Sequence, residues 1–501
     1  MRKVIPVVIA MSLTACAAGP NFVEPDAKAP ASWGDWHPAE STAAVKNQTT
    51  AERGAARWWL QFNDPTLNAL EERAAKENLD IQVAMARLAQ SRAQRSAVNG
   101  ARLPTVNGSA VYQRQRQSEV GVNTRLLNIL APPGNRDDIV DALAEPFSVY
   151  QAGFDTSWEW DLWGRVRRSV ESANASLEGS IAAARDVQLS VMAELARNYL
   201  ELRGVQRQIE IAEHDVRTSE ELLDLTEQRA AGGLVTDLDV TSQRARLADG
   251  RARLPLLRQQ LQQVGSAIAL LLGAQPGALD SELSSAKAVA PVPARAPIGV
   301  PSEVARRRPD IRAAEARLHA ATADIGVAVA DFYPRITLTG TFDLQSLSAS
   351  DIGDWGARQW VLGPALSLPI FDGGRRRATL ELRKAQQQEA AVNYQKTVLQ
   401  AWHEIDNAIS AYANEQRRNE ELSTAAEAAR AAYDLANTRY RHGLTNFLVT
   451  LDSQRTLLQA ERDYADSTTA ISTRLVALYK AVGGGWCGEE VNNPAATCAN
   501  L

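Results

Sequence analysis

Three cysteines, five histidines and a set of carboxylates close to glycine turns are the residues here with chemistry to offer. The histidines, His37, His214, His319, His403 and His442, are scattered, with no metal-ligand spacing between them. Neither a Gly-rich phosphate loop nor a nucleophile elbow is present, so no enzyme and no cofactor are expected. Each His reads as a surface or helix-face residue, His442 as part of a helix end. Cys16 stands apart. Arg2-Lys3 is a basic start, Val4 to Leu13 is mostly apolar, and Leu13-Thr14-Ala15-Cys16 resembles a bacterial lipoprotein signal, in which the Cys becomes the first residue and carries lipid. An ordinary signal peptide that happens to hold a Cys is the other reading. Cys487 and Cys498 could bridge a short loop in an oxidising compartment or remain free thiols, and no His or second Cys pair accompanies them as a metal site requires.

The carboxylates occur in two settings. Asp155, Glu159 and Asp161 alternate with Phe154, Trp158, Trp160 and Leu162, while Arg335 and Asp343 alternate with Ile336, Leu338, Phe342 and Leu344. Alternation over about ten residues with aromatics on the apolar side marks a membrane-spanning β-strand. A soluble half-buried sheet alternates in the same way, so this pattern alone leaves both open. Weaker strands near 104–114 and 360–371 would complete one hairpin in each half, 104–162 and 334–371. The first would carry the long loop 116–149 and the second the shorter loop 347–358. Asp237, Asp239 and Asp452 instead follow the turns Gly232-Gly233-Leu234-Val235-Thr236 and His442-Gly443-Leu444-Thr445-Asn446.

Those turns interrupt long helices. Residues 375–442 hold no Gly and no Pro over 68 positions, which as one helix would span about 100 Å. Residues 165–232 match it, interrupted only by Gly179 and Gly204. Ala385, Val392 and Leu399 are seven apart, and Trp402, Ile405 and Ile409 continue at spacings of three and four, a coiled-coil seam. Shorter helical stretches, 66–103 and 235–272, then 302–333 and 444–482, flank the long ones; Pro255 predicts a kink or break in the second. Gly caps the end of each long helix, and Thr236 or Thr445 can cap the helix that follows.

The chain also repeats itself. Asp80-Ile81, Ala84, Arg87-Leu88, Ala93 and Pro104 recur 230 residues later, and Gly153, Ser157, Gly164-Arg165 and Gly233-Leu234 recur 210 later. That period is too long for a solenoid module and describes two similar halves. The domain reading is a signal peptide 1–15, a lipidated segment 16–65, repeats at 66–272 and 302–482 joined by a linker 273–301, and a tail 483–501. Net charge is −5, giving no nucleic-acid footprint. No apolar run after the N-terminus is long enough for a membrane helix. Four strands cannot close a membrane barrel, and open edges in lipid are costly, so membrane strands would require an oligomer sharing one barrel.

Several local motifs together resemble the TolC-like outer-membrane efflux family in its lipoprotein, NodT-like branch. They are Gly19-Pro20-Asn21-Phe22 with Pro25, Trp58-Trp59 with Phe62, Asp64-Pro65 and Leu67, the junctions Asp161-Leu162-Trp163-Gly164-Arg165 and Phe371-Asp372-Gly373-Gly374-Arg375, and Leu478-Tyr479-Lys480-Ala481 followed by Gly483-Gly484-Gly485-Trp486. The resemblance implies a mixed fold: a homotrimer with a 12-stranded transmembrane β-barrel, four strands per chain, continued by an α-helical periplasmic barrel of coiled coils. It implies an outer-membrane exit channel for drugs or other small toxic compounds, with a periplasmic adaptor and an inner-membrane RND-type pump as partners. The tips, with Gly233, Leu234, Thr236, Gly443, Leu444 and Thr445, would meet the adaptor and form a periplasmic gate. Asp452 falls at a gate-aspartate position of the family, while Val449 replaces the acid expected three residues earlier. In a trimer, a ring of Asp452 favours cations and a ring of Leu448 or Val449 seals by dewetting. Asp237 and Asp239 are weaker gate candidates, read first as solvated helix-start residues. Asp155, Glu159, Asp161 and Asp343 would face the lumen or pair with arginines such as Arg335. A polypeptide secretion conduit and a periplasmic coiled-coil scaffold without a pore are the competing readings.

Overall fold

In the computed structural model the residues described are 17–30, 33, 49–50, 57–121, 136–285, 296–297 and 301–484. Cys16, Cys487 and Cys498 lie outside them. The main elements, in chain order, are α1 (Pro65–Glu77), α2 (Leu79–Gly100), β1 (Thr105–Gln115), α3 (Arg136–Ala144), β2 (Phe147–Glu159), α4 (Arg165–Ala231), α5 (Asp237–Leu271), α6 (Pro301–Arg307), α7 (Pro309–Ala330), β3 (Arg335–Ser346), β4 (Arg358–Ser367), α8 (Arg375–Arg441) and α9 (Phe447–Ala481). The long helices α4 and α8 are both 67 residues, and the return helices α5 and α9 are both 35. Among the described residues no helix is long and apolar enough to cross a membrane.

Two of the expected single helices are broken, each by a residue better used as a cap. The stretch 66–103 divides at Asn78, whose side chain accepts from the Ile81 N–H at 2.9 Å and donates to the Leu271 carbonyl at 2.7 Å. The stretch 302–333 divides at Arg308, just before Pro309, and its guanidinium reaches the Ala481 carbonyl at 2.7 Å, Asp310 at 2.6 Å and Glu404 at 2.7 Å. Conversely, α5 runs through Pro255 without a break. Pro255 sits on an exposed face, where water can satisfy the carbonyl that loses its N–H partner.

The contacts define two units. The first comprises residues Met1–Val23, Ser91–Leu177 and Arg317–Ala390, and the second Glu24–Gln90, Glu178–Ala316 and Ala391–Leu501. The first unit holds one antiparallel sheet in the order β1-β2-β3-β4. At one end the four strands join α2, α4, α7 and α8; at the other, β1 and β2 are connected through a segment that holds the short α3, and β3 and β4 through a loop. Residues 17–22 are strapped to this unit. The Ala18 N–H donates to the Trp163 carbonyl at 3.0 Å, Arg168 donates to the Ala18 carbonyl at 3.2 Å and to Asn21 at 2.6 Å, and Phe22 stacks on His319 at 4.3 Å.

The second unit contains the main core. Trp58, Phe62, Leu67, Leu70, Leu195, Tyr199, Ile268, Ile405, Tyr412, Leu475 and Tyr479 pack there, with Trp58 stacked on Tyr479 at 5.5 Å. Asp64 starts α1 by accepting from the N–H groups of Thr66 at 2.8 Å and Leu67 at 3.4 Å, ahead of Pro65 in the first turn. Its other oxygen accepts a hydrogen bond from the Tyr199 hydroxyl, and Arg203 donates to that hydroxyl at 2.8 Å and to the Ser285 carbonyl at 2.6 Å. The expected seam divides at residue 400: Trp402, Ile405 and Ile409 are buried, whereas Ala385, Val392 and Leu399 form an exposed stripe.

Glu71 of α1 is fully buried, and among the described residues neither carboxyl oxygen has a hydrogen-bond partner. Burial pushes its carboxyl well above the usual range, so folding favours the protonated acid. A group whose pKa is raised by folding contributes stability fully present below the unfolded value, and loses it as pH rises through the folded value. Glu71→Gln needs no proton and removes that dependence. Melting temperatures between about pH 5 and pH 9 should fall less steeply in the variant than in the wild type, and parallel curves would place the Glu71 carboxylate in a charged, solvated setting.

Candidate channel wall and gate

The strand register sorts the side chains of the sheet onto two faces. One carries Val106 and Tyr112 of β1, Tyr150, Phe154 and Trp158 of β2, Leu338 and Phe342 of β3, and Trp360, Leu362 and Leu366 of β4, aligned in rows such as Phe154–Phe342–Trp360. Most of these side chains are exposed, Trp360 at 68% and Leu366 at 69%. The opposite face carries Asn107, Gln113, Asp155, Ser157, Glu159, Thr337, Thr339, Thr341, Asp343 and Gln359. An apolar face bounded by two edge strands, β1 and β4, that are unpaired among the described residues is a wall that is incomplete in one chain.

The carboxylates of the polar face are partly engaged. Asp155 accepts from the Asn107 amide at 2.9 Å. Glu159 forms a two-pronged pair with Arg165 at 2.8 and 2.6 Å, and Arg335 approaches it at 3.7 Å and Asp331 at 3.4 Å. Asp343 lies directly across from Gly153, where a side chain would have no room beside it. Asp161 does not belong to the strand, which ends at Glu159. Its two oxygens accept from the Val166 and Arg167 N–H groups at 3.0 and 2.9 Å, because a carboxylate placed at the open N–H groups of a 67-residue helix is worth more as a cap. At the corresponding junction Asp372 accepts from the Gly374 and Arg376 N–H groups at 3.1 and 3.3 Å, and Gly374 has φ of +88°.

The tips belong to the second unit. Gly233 and Gly443 have φ of +73° and +71°, which lets Leu234 and Leu444 return their N–H groups to the carbonyls of Arg229 at 2.9 Å and Arg439 at 2.8 Å. Thr236 opens α5, and the Asp239 carboxylate closes back on its N–H at 3.0 Å and its hydroxyl at 2.9 Å. Asp239 is thereby committed to the cap, while Asp237 is exposed. In the second tip Asn446, not Thr445, is the cap: its side chain accepts from the Val449 N–H at 3.2 Å. Asn446→Ala should cost about 1 kcal/mol, read as faster amide exchange over the first turn of α9, and unchanged exchange would count against the cap.

Along α9 the buried side is Phe447, Thr450, Gln454 and Leu458. Leu448, Val449 and Asp452 therefore face out, the first two 56% and 48% exposed. Leu234 and Leu444 at the turns are 77% and 68% exposed. One residue here goes beyond the sequence reading. Arg229, in the last turn of α4, donates to the carbonyls of Tyr440 and Arg441 at 2.8 Å each and lies over the Tyr440 ring at 4.4 Å. It ties one tip to the other, and only its place one turn before a glycine cap hinted at a helix-end role.

The comparisons agree with this geometry. The family model described as outer membrane efflux protein matches residues 70–274 and 300–484. The outer membrane protein OprJ of Pseudomonas aeruginosa is 34% identical over 491 residues, 97% of each chain. The pyoverdine export outer membrane protein OpmQ of Pseudomonas putida is 33% identical, over 95% of this chain and 96% of its own. Among solved structures, the outer-membrane channel OprN superposes with a TM-score of 0.83 at 38% identity, over 94% of this chain and all of that one. The open-state MtrE channel of Neisseria gonorrhoeae gives a TM-score of 0.77 at 27% identity, over 94% of this chain and 99% of its own. With a four-stranded antiparallel sheet, two 67-residue helices and a match over most of its length, this chain belongs to the outer membrane efflux protein family.

Proposed function

We propose that three copies of this chain close their sheets into one 12-stranded barrel in the outer membrane, continued into the periplasm by a barrel of the long helices. The assembly is the exit channel of a tripartite efflux system. It passively conducts small toxic compounds handed on by an inner-membrane RND-type pump and a periplasmic adaptor. The observation that carries this reading is the sheet: an exposed apolar face, a polar face opposite, and two unpaired edges. Four strands are too few to close, and each unpaired backbone group in hydrocarbon costs several kcal/mol. Pairing β4 of one copy with β1 of the next removes both edges.

On this reading residues 1–15 are a signal peptide, Cys16 carries lipid, and 66–272 and 302–482 are two repeats, as the equal lengths of α4 and α8 and of α5 and α9 support. The exposed Leu234 and Leu444 meet the adaptor beside Gly233, Thr236, Gly443 and Thr445. Rings of Leu448, Val449 and Asp452 form the gate, Asp237 contributes charge at its edge, and Asp155, Glu159, Arg335 and Asp343 line the lumen. Relatives are named for export of pyoverdine by Pseudomonas putida and for efflux of solvent and toluene in the same species, which favours small molecules over polypeptides as cargo. Cells lacking this chain should become more susceptible to amphipathic toxic compounds and recover with a plasmid copy. Unchanged susceptibility together with loss of a secreted protein would overturn the efflux reading in favour of a polypeptide conduit.

A further inference from the structure

The outward, apolar face of the sheet carries two positive charges and no negative ones among the described residues. By register its positions run Val106 to Arg114 on β1, Ser148 to Trp158 on β2, Ile336 to Ser346 on β3 and Arg358 to Leu366 on β4, taking alternate residues. On each edge strand the row is apolar or small up to a last aromatic ring and then ends in an arginine: Tyr112 then Arg114, and Trp360 then Arg358. Both arginines are exposed, and neither forms an ion pair among the described residues. Arg116, the next basic residue beyond β1, is already paired with Glu119. The Arg358 guanidinium lies over the ring of Trp355 at 4.2 Å and donates to the Trp355 carbonyl, and Trp355 is itself 72% exposed. Tyr112 and Tyr150 pack at 5.0 Å on the same face.

Both arginines lie at the loop end of the strands, opposite the end that joins the helices. On the trimer reading, on which this inference rests, that end is the external rim of the barrel. There β4 of one copy meets β1 of the next, so both arginines belong to one seam. A guanidinium on a lipid-facing surface, with no carboxylate paired to it among the described residues, finds its anion in the lipid. The fork of an arginine matches phosphate in two-pronged fashion, and the flanking rings provide flat apolar surface for sugar and acyl carbon. We propose that Arg114 and Arg358 form a binding site for a phosphorylated glycolipid of the outer leaflet, one at each seam, with Trp355, Trp360 and Tyr112 as its apolar floor.

Native mass spectrometry of the full-length protein in non-ionic detergent tests this, with bisphosphorylated lipid A as probe and the same lipid after phosphatase treatment as control. The wild type should retain lipid A, and the Arg114→Gln/Arg358→Gln variant should retain about tenfold less, as expected for losing charge-assisted contacts. Dephosphorylated lipid A should bind both proteins weakly. Equal retention by wild type and variant, or of lipid with and without phosphate, would overturn the site. Retention of phosphatidylglycerol as strong as that of lipid A would overturn the glycolipid assignment. The spectra also report the number of chains per particle, so failure of the trimer reading shows as mass and not as lost lipid. If the double variant does not assemble, the phosphatase comparison on the wild type still decides.

Discussion

Replacing Arg229 by alanine should leave the channel open. Its guanidinium holds the last two carbonyls of α8 from the last turn of α4, at 2.8 Å each, and covers the Tyr440 ring. Tyr440 packs on Phe447 of α9 at 5.8 Å, with Leu222 of α4 beside them, so the tie joins both helical hairpins next to Leu448, Val449 and Asp452. Hydrogen bonds to a charged group contribute about 1.5–3 kcal/mol each, and a partly exposed cation–π contact about 0.5–1. With the tie made only in the closed tip, losing roughly 3 kcal/mol in one chain shifts the closed-to-open ratio by more than about a hundredfold. Cells carrying Arg229→Ala should admit large hydrophilic solutes that wild-type cells exclude, with an uptake rate raised about tenfold or more. Arg229→Lys, a single ammonium without the planar fork, should fall between them. Uptake equal to the wild type, with normal amounts of assembled protein, would remove Arg229 from the gate.

The second large effect concerns a buried pair farther along the same helices. Asp215 of α4 and Arg246 of α5 bond through both carboxyl oxygens at 2.8 and 2.7 Å, with side chains 4% and 9% exposed. Gln454 of α9 donates to the Ser219 hydroxyl at 3.0 Å and to Asp215 at 3.3 Å, and Gln243 donates to the Ser219 carbonyl at 2.8 Å, so three helices share the network. Burial outweighs the arginine and raises the Asp215 carboxyl above its usual value, a sign that desolvation is the largest cost at this site. Asp215→Ala leaves the buried Arg246 with only the exposed Asp249, at 3.5 Å, as its anion and should cost about 3 kcal/mol of stability, the low end for a broken buried pair. The double variant Asp215→Leu/Arg246→Leu removes both charges and should recover most of that loss. Urea unfolding of the single and double variants measures the difference. A single variant as stable as the wild type would show that the pair contributes nothing.

What could be read from the sequence depended on how local each signal was. The 68 positions without Gly or Pro at 375–442 foretold α8 because helix continuity needs only the absence of breakers. The alternation at Phe154 to Trp158 foretold β2 and its two faces, since the strand period is a property of the chain alone. The breaks at Asn78 and Arg308 were hidden, because both residues bond to segments distant in sequence: Leu271 for Asn78, Ala481 and Glu404 for Arg308. Helix start residues were misplaced by small steps for a related reason. Asp161 sits in perfect alternation with the strand yet is used as a cap, and Asn446 rather than Thr445 begins α9, because a cap is decided by where the first turn closes. The Arg229 tie and the rim arginines carry no motif. They become visible only when register and tip geometry place them against carbonyls or on an apolar face. The proposed gate residues Leu448, Val449 and Asp452 share an exposed face of α9, which fits a role completed by other copies of the chain.

Single-channel conductance of the purified protein in a planar bilayer, beside an Asp452→Ala variant, tests the central claim most directly. The account predicts small discrete steps from the wild type and larger steps with reduced cation preference from the variant. No steps from either protein, with insertion as an oligomer verified, would contradict a gated pore and leave a scaffold of helices without a channel.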